Sequence, residues 1–277
     1  MKEIISRIIE EDVGFGDITT NALVGKNKIT KARIISRENG LIAGVEVIKE
    51  IFFEYGIKIL TLKDDGEKIA INDIIIEIEG NARKILKLER IILNILMRMS
   101  AIATTTNKII KEVRKVNKKI KIAGTRKTSP GIGFLDKEAI KIGGGDTHRF
   151  SLDDLILIKD NHISIVGSLE KAVKLANENA SFTKKIEVEI ENFEDVLKIA
   201  SDVDIIMLDN MDVHEINQTI KILKDENLRY NLIIEASGGI TPENIIHYGK
   251  TDLDIISLGF ITHSTKNLDL SLEIVED

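Results

Sequence analysis

The sequence predicts a two-part α/β protein: a small α+β domain over residues 1–103, rejoined by the tail 266–277, and an incomplete parallel α/β barrel of about six strands over 104–265. Three observations carry this. From residue 120 onward, short β-type runs alternate with helical segments, a pattern that the first hundred residues do not share. A long helical stretch without Pro or Gly separates the two halves, and the tail alternates apolar and polar residues like a half-solvated strand.

The first part opens on a short amphipathic helix. Residues 30–37 and 73–79 follow as strand candidates, the former with Ala32 and Ile34 turned inward. Residues 82–116 read as one helix in which Ile85, Leu86, Leu88, Ile92, Leu96, Met97 and Met99 are among the apolar positions covering almost every side. A helix apolar nearly all round is buried on two surfaces, which predicts an intersubunit contact. Beyond it, strands are expected at 120–123, 155–158, 185–190, 204–208, 231–235 and 254–258, with helices at about 136–142, 167–178, 192–200, 212–226 and 241–249. Such alternation implies right-handed crossovers and a parallel sheet, and six units in so short a span favour a barrel, although eight strands are usual. Pro242 is expected in the first turn of the last helix, where its missing N–H costs least. Leu268, Leu270, Leu272 and Ile274 predict a strand that returns to the first domain.

With 277 residues, 43% hydrophobic and 30% charged, the composition is that of an ordinary globular protein. No apolar run nears the roughly 18 residues that span a bilayer, and MKEIISRIIEED lacks the marks of a cleavable signal, so a cytoplasmic location is expected. The absence of cysteine excludes disulfides, thiolate nucleophiles and cysteine-based zinc sites. A net charge of −6 offers nucleic acid no general attraction, so basic residues act through local clustering.

That clustering is the strongest functional signal. In a parallel barrel the carboxyl ends of the strands open on one face. Arg126 and Lys127 follow the first strand, Lys159 the second, Asp209 the fourth and Gly259 the sixth; Glu189 lies late in the third. His148 and Arg149 close the glycine-rich GGGDTHR. Cations a few Å apart repel by about 1 to 4 kcal/mol per pair, so a cluster of them predicts a polyanionic ligand. Ser237, Gly238 and Gly239, placed before a predicted helix N-terminus, suit a phosphate, and Gly259 on the next strand completes such a site. Glu189 and Asp209 suit Mg²⁺ or sugar hydroxyls. Other readings stay open: Glu187 and Glu189 as buried partners of lysines, Lys159 as a Schiff-base lysine, or a phosphate-ligand sensor without turnover. His162, His214, His247 and His263 read as capping, packing or water-facing residues.

Taken together, GDITT at 16–20, ERIILNILMRMSAIAT at 89–104, TRKTSPG at 125–131, GGGDTHR at 143–149, LIKDNH at 157–162, EVE at 187–189, MLDNM at 207–211, EASGGIT at 235–241 and SLGFITHS at 257–264 resemble the quinolinate phosphoribosyltransferase family, in order, from residue 10 to the end. The resemblance implies an N-terminal open α/β sandwich, a barrel of fewer than eight strands, and a transfer of phosphoribosyl from 5-phosphoribosyl 1-pyrophosphate to quinolinate with loss of CO2, on the route to NAD. It implies Mg²⁺, and a homodimer with shared active sites or a hexamer, in which Arg90 completes the partner's site. Carried over by motif, Arg126, His148, Arg149 and Lys159 grip the quinolinate carboxylates. Lys127 lies between quinolinate and pyrophosphate, and Glu189 and Asp209 serve ribose and metal. Ser237, Gly238, Gly239, Gly259 and Phe260 hold the 5-phosphate end. The nearest rival is a related phosphoribosyltransferase with another acceptor ring.

Overall fold

A computed structural model describes residues 2–275, which divide into two compact units. The first takes the chain up to Asn107, Thr128–Gly144 and the chain from Thr262; the second takes Lys108–Lys127 and Gly145–Ile261. Among the described residues no helix is long and apolar enough to cross a membrane.

Along the chain, α1 (Lys2–Val13) buries Ile5 and Ile9, and α2 (Ile18–Leu23) starts where the Asp17 side chain accepts the Thr20 N–H at 2.9 Å. There follow β1 (Ile29–Ser36), β2 (Gly40–Leu41), α3 (Val45–Tyr55), β3 (Lys58–Leu62), β4 (Lys68–Ile69), β5 (Ile74–Asn81) and α4 (Ala82–Arg114). The remaining elements are β6 (Lys121–Ala123), α5 (Gly133–Ile142), β7 (Ile156–Ile158), α6 (Asp160–Val166), α7 (Leu169–Asn179), β8 (Ile186–Ile190), α8 (Phe193–Ile199), β9 (Ile205–Asp209), α9 (Val213–Asp225), β10 (Ile233–Ser237), α10 (Ile245–Gly249), β11 (Ile255–Ser257), α11 (Phe260–His263) and β12 (Leu270–Val275).

In the first unit an antiparallel sheet runs β12-β1-β5-β3, so the C-terminal strand does pair with the N-terminal sheet. Its register aligns Ala32 with Ile78 and Ile274, and Ile34 with Ile76 and Leu272. Of these, Ala32, Ile34, Ile76 and Ile78 are fully buried, while Ile274 is exposed. Helix α4 departs from the all-round burial expected of it. Ile85, Leu88, Ile92, Leu96 and Met99 form a buried stripe, but Arg90 and Asn94, one turn apart, are exposed. A high count of apolar residues concealed a helical phase that still leaves one polar face. The Ser100 and Thr104 hydroxyls on α4 accept the Ala43 and Leu41 N–H groups at 3.0 and 2.8 Å, satisfying buried backbone beside β2.

The segment Thr128–Gly144, assigned to the barrel from sequence, clusters with the first unit. The reason is a buried ion pair: the Arg98 guanidinium donates to both Asp136 oxygens at 2.7 and 2.8 Å, and the Ser129 N–H adds a third bond at 3.0 Å. Gly143 packs so closely on α4 that a Cβ there would stand 2.6 Å from the Ala103 carbonyl oxygen.

The second unit holds a six-stranded parallel sheet in the order β6-β11-β10-β9-β8-β7. The ladder ends at β6 and β7, which makes it the incomplete barrel predicted. The outer edge of β6 is taken by Asp146: its N–H donates to the Ile122 carbonyl at 2.8 Å, and its own carbonyl accepts the Gly124 N–H at 2.9 Å. This docking covers an otherwise exposed strand edge and delivers the next residues, His148 and Arg149, to the sheet. Side-chain caps start the helices that connect these strands: Ser168 for α7, Asn192 for α8, and a reciprocal Asp212–Glu215 capping box for α9. Helix α10 begins only at Ile245, so Pro242 lies in the preceding turn and not in a helical first turn. Asn244 holds that turn apart by accepting the Thr241 N–H at 2.8 Å, a local bond that competes with helix formation.

Candidate active site

Strand alternation decides which side chains enter the barrel. In β8 the buried Ile186, Val188 and Ile190 occupy one face, which leaves Glu187 and Glu189 on the other. Register then aligns Glu187 with Leu157 and Ile205, Glu189 with Met207, Met207 with Glu235, and Asp209 with Ser237. Four acids therefore share the inward face, in tiers. By register Glu189 and Glu235 share the level of Met207, with Glu187 one step below and Asp209 one step above; Glu187 and Glu235 are wholly buried, whereas Glu189 and Asp209 keep partial exposure.

Above them the cations gather. Arg126, Arg149 and Lys159 line one cavity of about 520 Å³, together with Asn161, His162 and the apolar Leu152, Leu155 and Leu157. Burial pushes the Arg149 pKa down and the charge on Arg126 pushes it further, so these two guanidiniums feel one another. Lys159 ion-pairs with Glu189, and its backbone N–H donates to His162 Nδ1 at 3.0 Å, so His162 caps α6. Burial and the neighbouring Glu189 push the Asp209 carboxyl up, partly offset by Lys159 and Lys127. Arg126 and Lys127 are themselves exposed in the loop after β6.

His148 is placed differently from the expectation that it grips a ligand. Its Nε2 lies 3.1 Å from Glu235 Oε2 and 3.6 Å from Glu187 Oε2, and its Nδ1 accepts the Arg149 N–H at 2.8 Å. Burial pulls the His148 pKa down, and the nearby Glu235 and Glu187 carboxylates push it up more strongly. The bond from the Arg149 N–H nevertheless needs an unprotonated Nδ1, so the ring in this geometry is the neutral Nε2–H form. Nε2 carries a proton in either charge state, so His148 is the donor to Glu235 throughout. Of the two glutamates read as alternative partners of lysines, Glu187 faces a histidine instead, whereas Glu189 does pair with Lys159.

The loop after β10 also differs from expectation. Gly238 and Gly239 adopt left-handed φ angles of +79° and +61°, and α10, five residues long, starts well beyond them. The following helix therefore does not start at this loop, which two successive left-handed residues turn instead. Asn210 lies beneath it, also left-handed at φ 56°, with its N–H donating to the Ser237 carbonyl at 2.9 Å and its Nδ2 to Asp209 at 2.6 Å. A Cβ on Gly238 would stand 2.3 Å from Asn210 Oδ1 and 2.9 Å from its backbone nitrogen. Gly238→Ala is expected to cost about 1–3 kcal/mol in a denaturant titration through strain and overpacking. Gly239→Ala, whose Cβ would meet nothing within 4 Å, should cost less. Equal losses would mean that Asn210 is no obstacle.

The model for the C-terminal domain of quinolinate phosphoribosyl transferase matches residues 102–273, and that for its N-terminal domain matches residues 17–100. The chain belongs to this family. A probable nicotinate-nucleotide pyrophosphorylase (carboxylating) of Methanothermobacter thermautotrophicus is 49% identical over 275 residues, covering 99% of each chain. A Bacillus subtilis relative of the same name is 38% identical over 99% of this chain and 93% of its own. Among solved structures, the nicotinate-nucleotide pyrophosphorylase of Ehrlichia chaffeensis superposes with a TM-score of 0.92 at 35% identity, over 99% of this chain and 98% of that one.

Within this member of the quinolinate phosphoribosyl transferase family, the second unit brings together Arg126, Arg149, Lys159, Glu189 and Asp209, with Lys127 close enough to influence Asp209. The glycine loop at 237–239 adjoins Asp209 through register and through Asn210. Gly259 and Phe260 follow β11 and are half-buried. Arg90 lies in the first unit, exposed on α4. Lys159 is committed to an ion pair among other charges, unlike the amine in an apolar pocket that Schiff-base chemistry favours. Sequence reasoning missed Glu235 and Asn210. The first could be found from the alternation of Ile233, Glu235 and Ser237 on a strand lying between others. The second carries only the weak signal of an Asn directly after a strand end.

Proposed function

We propose that the protein transfers the phosphoribosyl group of 5-phosphoribosyl 1-pyrophosphate to the ring nitrogen of quinolinate, releasing pyrophosphate and CO2 and leaving nicotinate mononucleotide for NAD synthesis. The convergence of Arg126, Arg149 and Lys159 on one cavity is the observation that carries this reading. Three cations at one opening suit an aromatic diacid, whose two carboxylates neutralise the repulsion among them. Arginine forks fix the ring so that its nitrogen meets the anomeric carbon as pyrophosphate departs. Glu189 and Asp209 face the ribose, where carboxylates stabilise an oxocarbenium-like charge. Once alkylated, the ring nitrogen is a cation that stabilises the electron pair left on C2 when the 2-carboxylate departs as CO2, and a proton from solvent or a site acid then forms the C2–H bond. The loop of Ser237, Gly238 and Gly239, with Gly259 and Phe260, is assigned to the 5-phosphate, and Lys127 to the space between the two substrates.

Glu189 and Asp209 fit Mg²⁺: two hard carboxylates on adjacent strands, close enough for one to raise the pKa of the other. Bound there, the ion would supply charge neutralisation for the departing pyrophosphate. The enzyme is proposed to work in the cytoplasm as a homodimer, in which Arg90 of the partner subunit completes the carboxylate grip. Mixing Arg90→Ala protein with Lys159→Ala protein is then expected to restore activity, because one site of each mixed dimer carries neither change. Absence of rescue despite proven subunit exchange would remove the shared site.

The reaction itself is tested with carboxyl-labelled quinolinate: labelled CO2 should appear in step with nicotinate mononucleotide and depend on 5-phosphoribosyl 1-pyrophosphate. Consumption of nicotinate or another ring without CO2 release would instead identify a related transferase with a different acceptor.

A further inference from the structure

The geometry points to His148 as a positioning residue, anchored from below by Glu235 and Glu187, that fixes the backbone of Arg149 and does not itself bind substrate. The inference deepens the quinolinate reading above and rests on it for its binding measurements.

Both ring nitrogens of His148 are already occupied within the chain. Nε2–H donates to Glu235 Oε2 at 3.1 Å, with Glu187 Oε2 at 3.6 Å, and Nδ1 accepts the Arg149 N–H at 2.8 Å. A ring so engaged has no N–H left for a carboxylate in the cavity. Its backbone is held as well: the His148 N–H donates to Asp146 Oδ1 at 2.8 Å, and the residue sits at φ 52°, a region that residues other than glycine occupy only when their surroundings impose it. Asp146 in turn is bridged to the β6 edge, so a continuous set of bonds runs from the sheet through Asp146 and His148 to the Arg149 amide.

The anchors have no other evident task. Glu187 and Glu235 are fully buried, and both Glu187 oxygens and Glu235 Oε1 lack a hydrogen-bond partner among the described residues. Buried carboxylates left so poorly satisfied are costly unless they serve a neighbouring group. Here they face the ring and lie near Arg149, whose charge both Glu187 and Glu189 favour. The acidic floor therefore holds the histidine and offsets the repulsion between Arg149 and Arg126.

Two isosteric replacements separate the roles. His148→Asn puts an amide oxygen where Nδ1 accepts the Arg149 N–H and tolerates the left-handed backbone; His148→Gln lacks that acceptor. Quinolinate affinity by calorimetry should stay near wild type in His148→Asn and fall about ten- to a hundredfold in His148→Gln and in Glu235→Gln, the range seen when a residue that orients another ligand is lost. The KM for 5-phosphoribosyl 1-pyrophosphate should not move, and Glu235→Gln should add little to His148→Gln, since both act through one amide. Slow hydrogen exchange of the Arg149 amide, retained in His148→Asn and lost in His148→Gln, reports the fixing without any ligand. Loss in His148→Asn as large as in Arg149→Ala would make His148 a substrate ligand. Additive losses, or one equivalent of transition metal retained by wild type and lost with Glu235→Gln, would equally overturn the inference. If wild type binds no quinolinate, the proposed reaction falls, while amide exchange still decides the role of His148.

Discussion

Arg149→Ala is expected to weaken quinolinate binding by a factor of about 30 to several thousand, with the stability of the protein changed by less than about 1 kcal/mol. The first figure follows from about 2–5 kcal/mol for truncating one partner of a hydrogen-bonded charge pair in a desolvated site. The second follows from position: Arg149 is half-buried at the cavity, where burial and Arg126 disfavour its charge and Glu187 and Glu189 favour it, so these opposing effects leave the fold a small net gain from it. Calorimetry with quinolinate and a guanidinium titration measure the two quantities. Should Arg149→Ala unfold the protein while each folded molecule stays active, the cation cluster is a structural ion-pair network and the proposed site is lost.

The largest effect on stability is expected within the first unit. Arg98→Ala removes the guanidinium that donates twice to Asp136, a carboxylate with no solvent exposure, and leaves that charge with the Ser129 N–H as its remaining bond among those described above. Breaking a buried pair from one side costs about 3–5 kcal/mol, because the surviving charge is stranded. The midpoint of a denaturant curve should fall accordingly with an unchanged slope. Removing both charges in Arg98→Ala/Asp136→Ala should return part of the loss, the sign of direct coupling. A single-mutant loss below about 1 kcal/mol would show that water replaces the guanidinium freely. Loosening Asp136 would also free Thr128–Gly144, the segment that enters the first unit against the division read from the sequence.

How far the site can be read in advance depends on how local its causes are. Lys159, Glu189 and Asp209 were legible because a strand's end and the two-residue alternation are written in neighbouring residues. Glu235 was not, although it obeys the same alternation, because its importance lies in facing His148, 87 residues earlier in the chain. The loop at 237–239 was legible as glycines and misread as a helix start, since a proline at 242 suggests a first turn while Asn244 closes a competing one. Arg90 was legible as a motif residue, but its exposure was not. Counting apolar positions along α4 overstated burial where their phase leaves a polar face.

The amino-acid sequence by itself determined the succession of strands and helices, the strand ends at which the cations and acids gather, and the family. Periodicity, strand termini and ordered motifs are properties of adjacent residues, and chain order preserves them. Only the tertiary structure decided that His148 turns to two buried glutamates and that Asp136 binds Arg98. A side chain's partner is chosen by which distant segments burial forces together, and a charged group removed from water takes whatever counter-charge lies within reach.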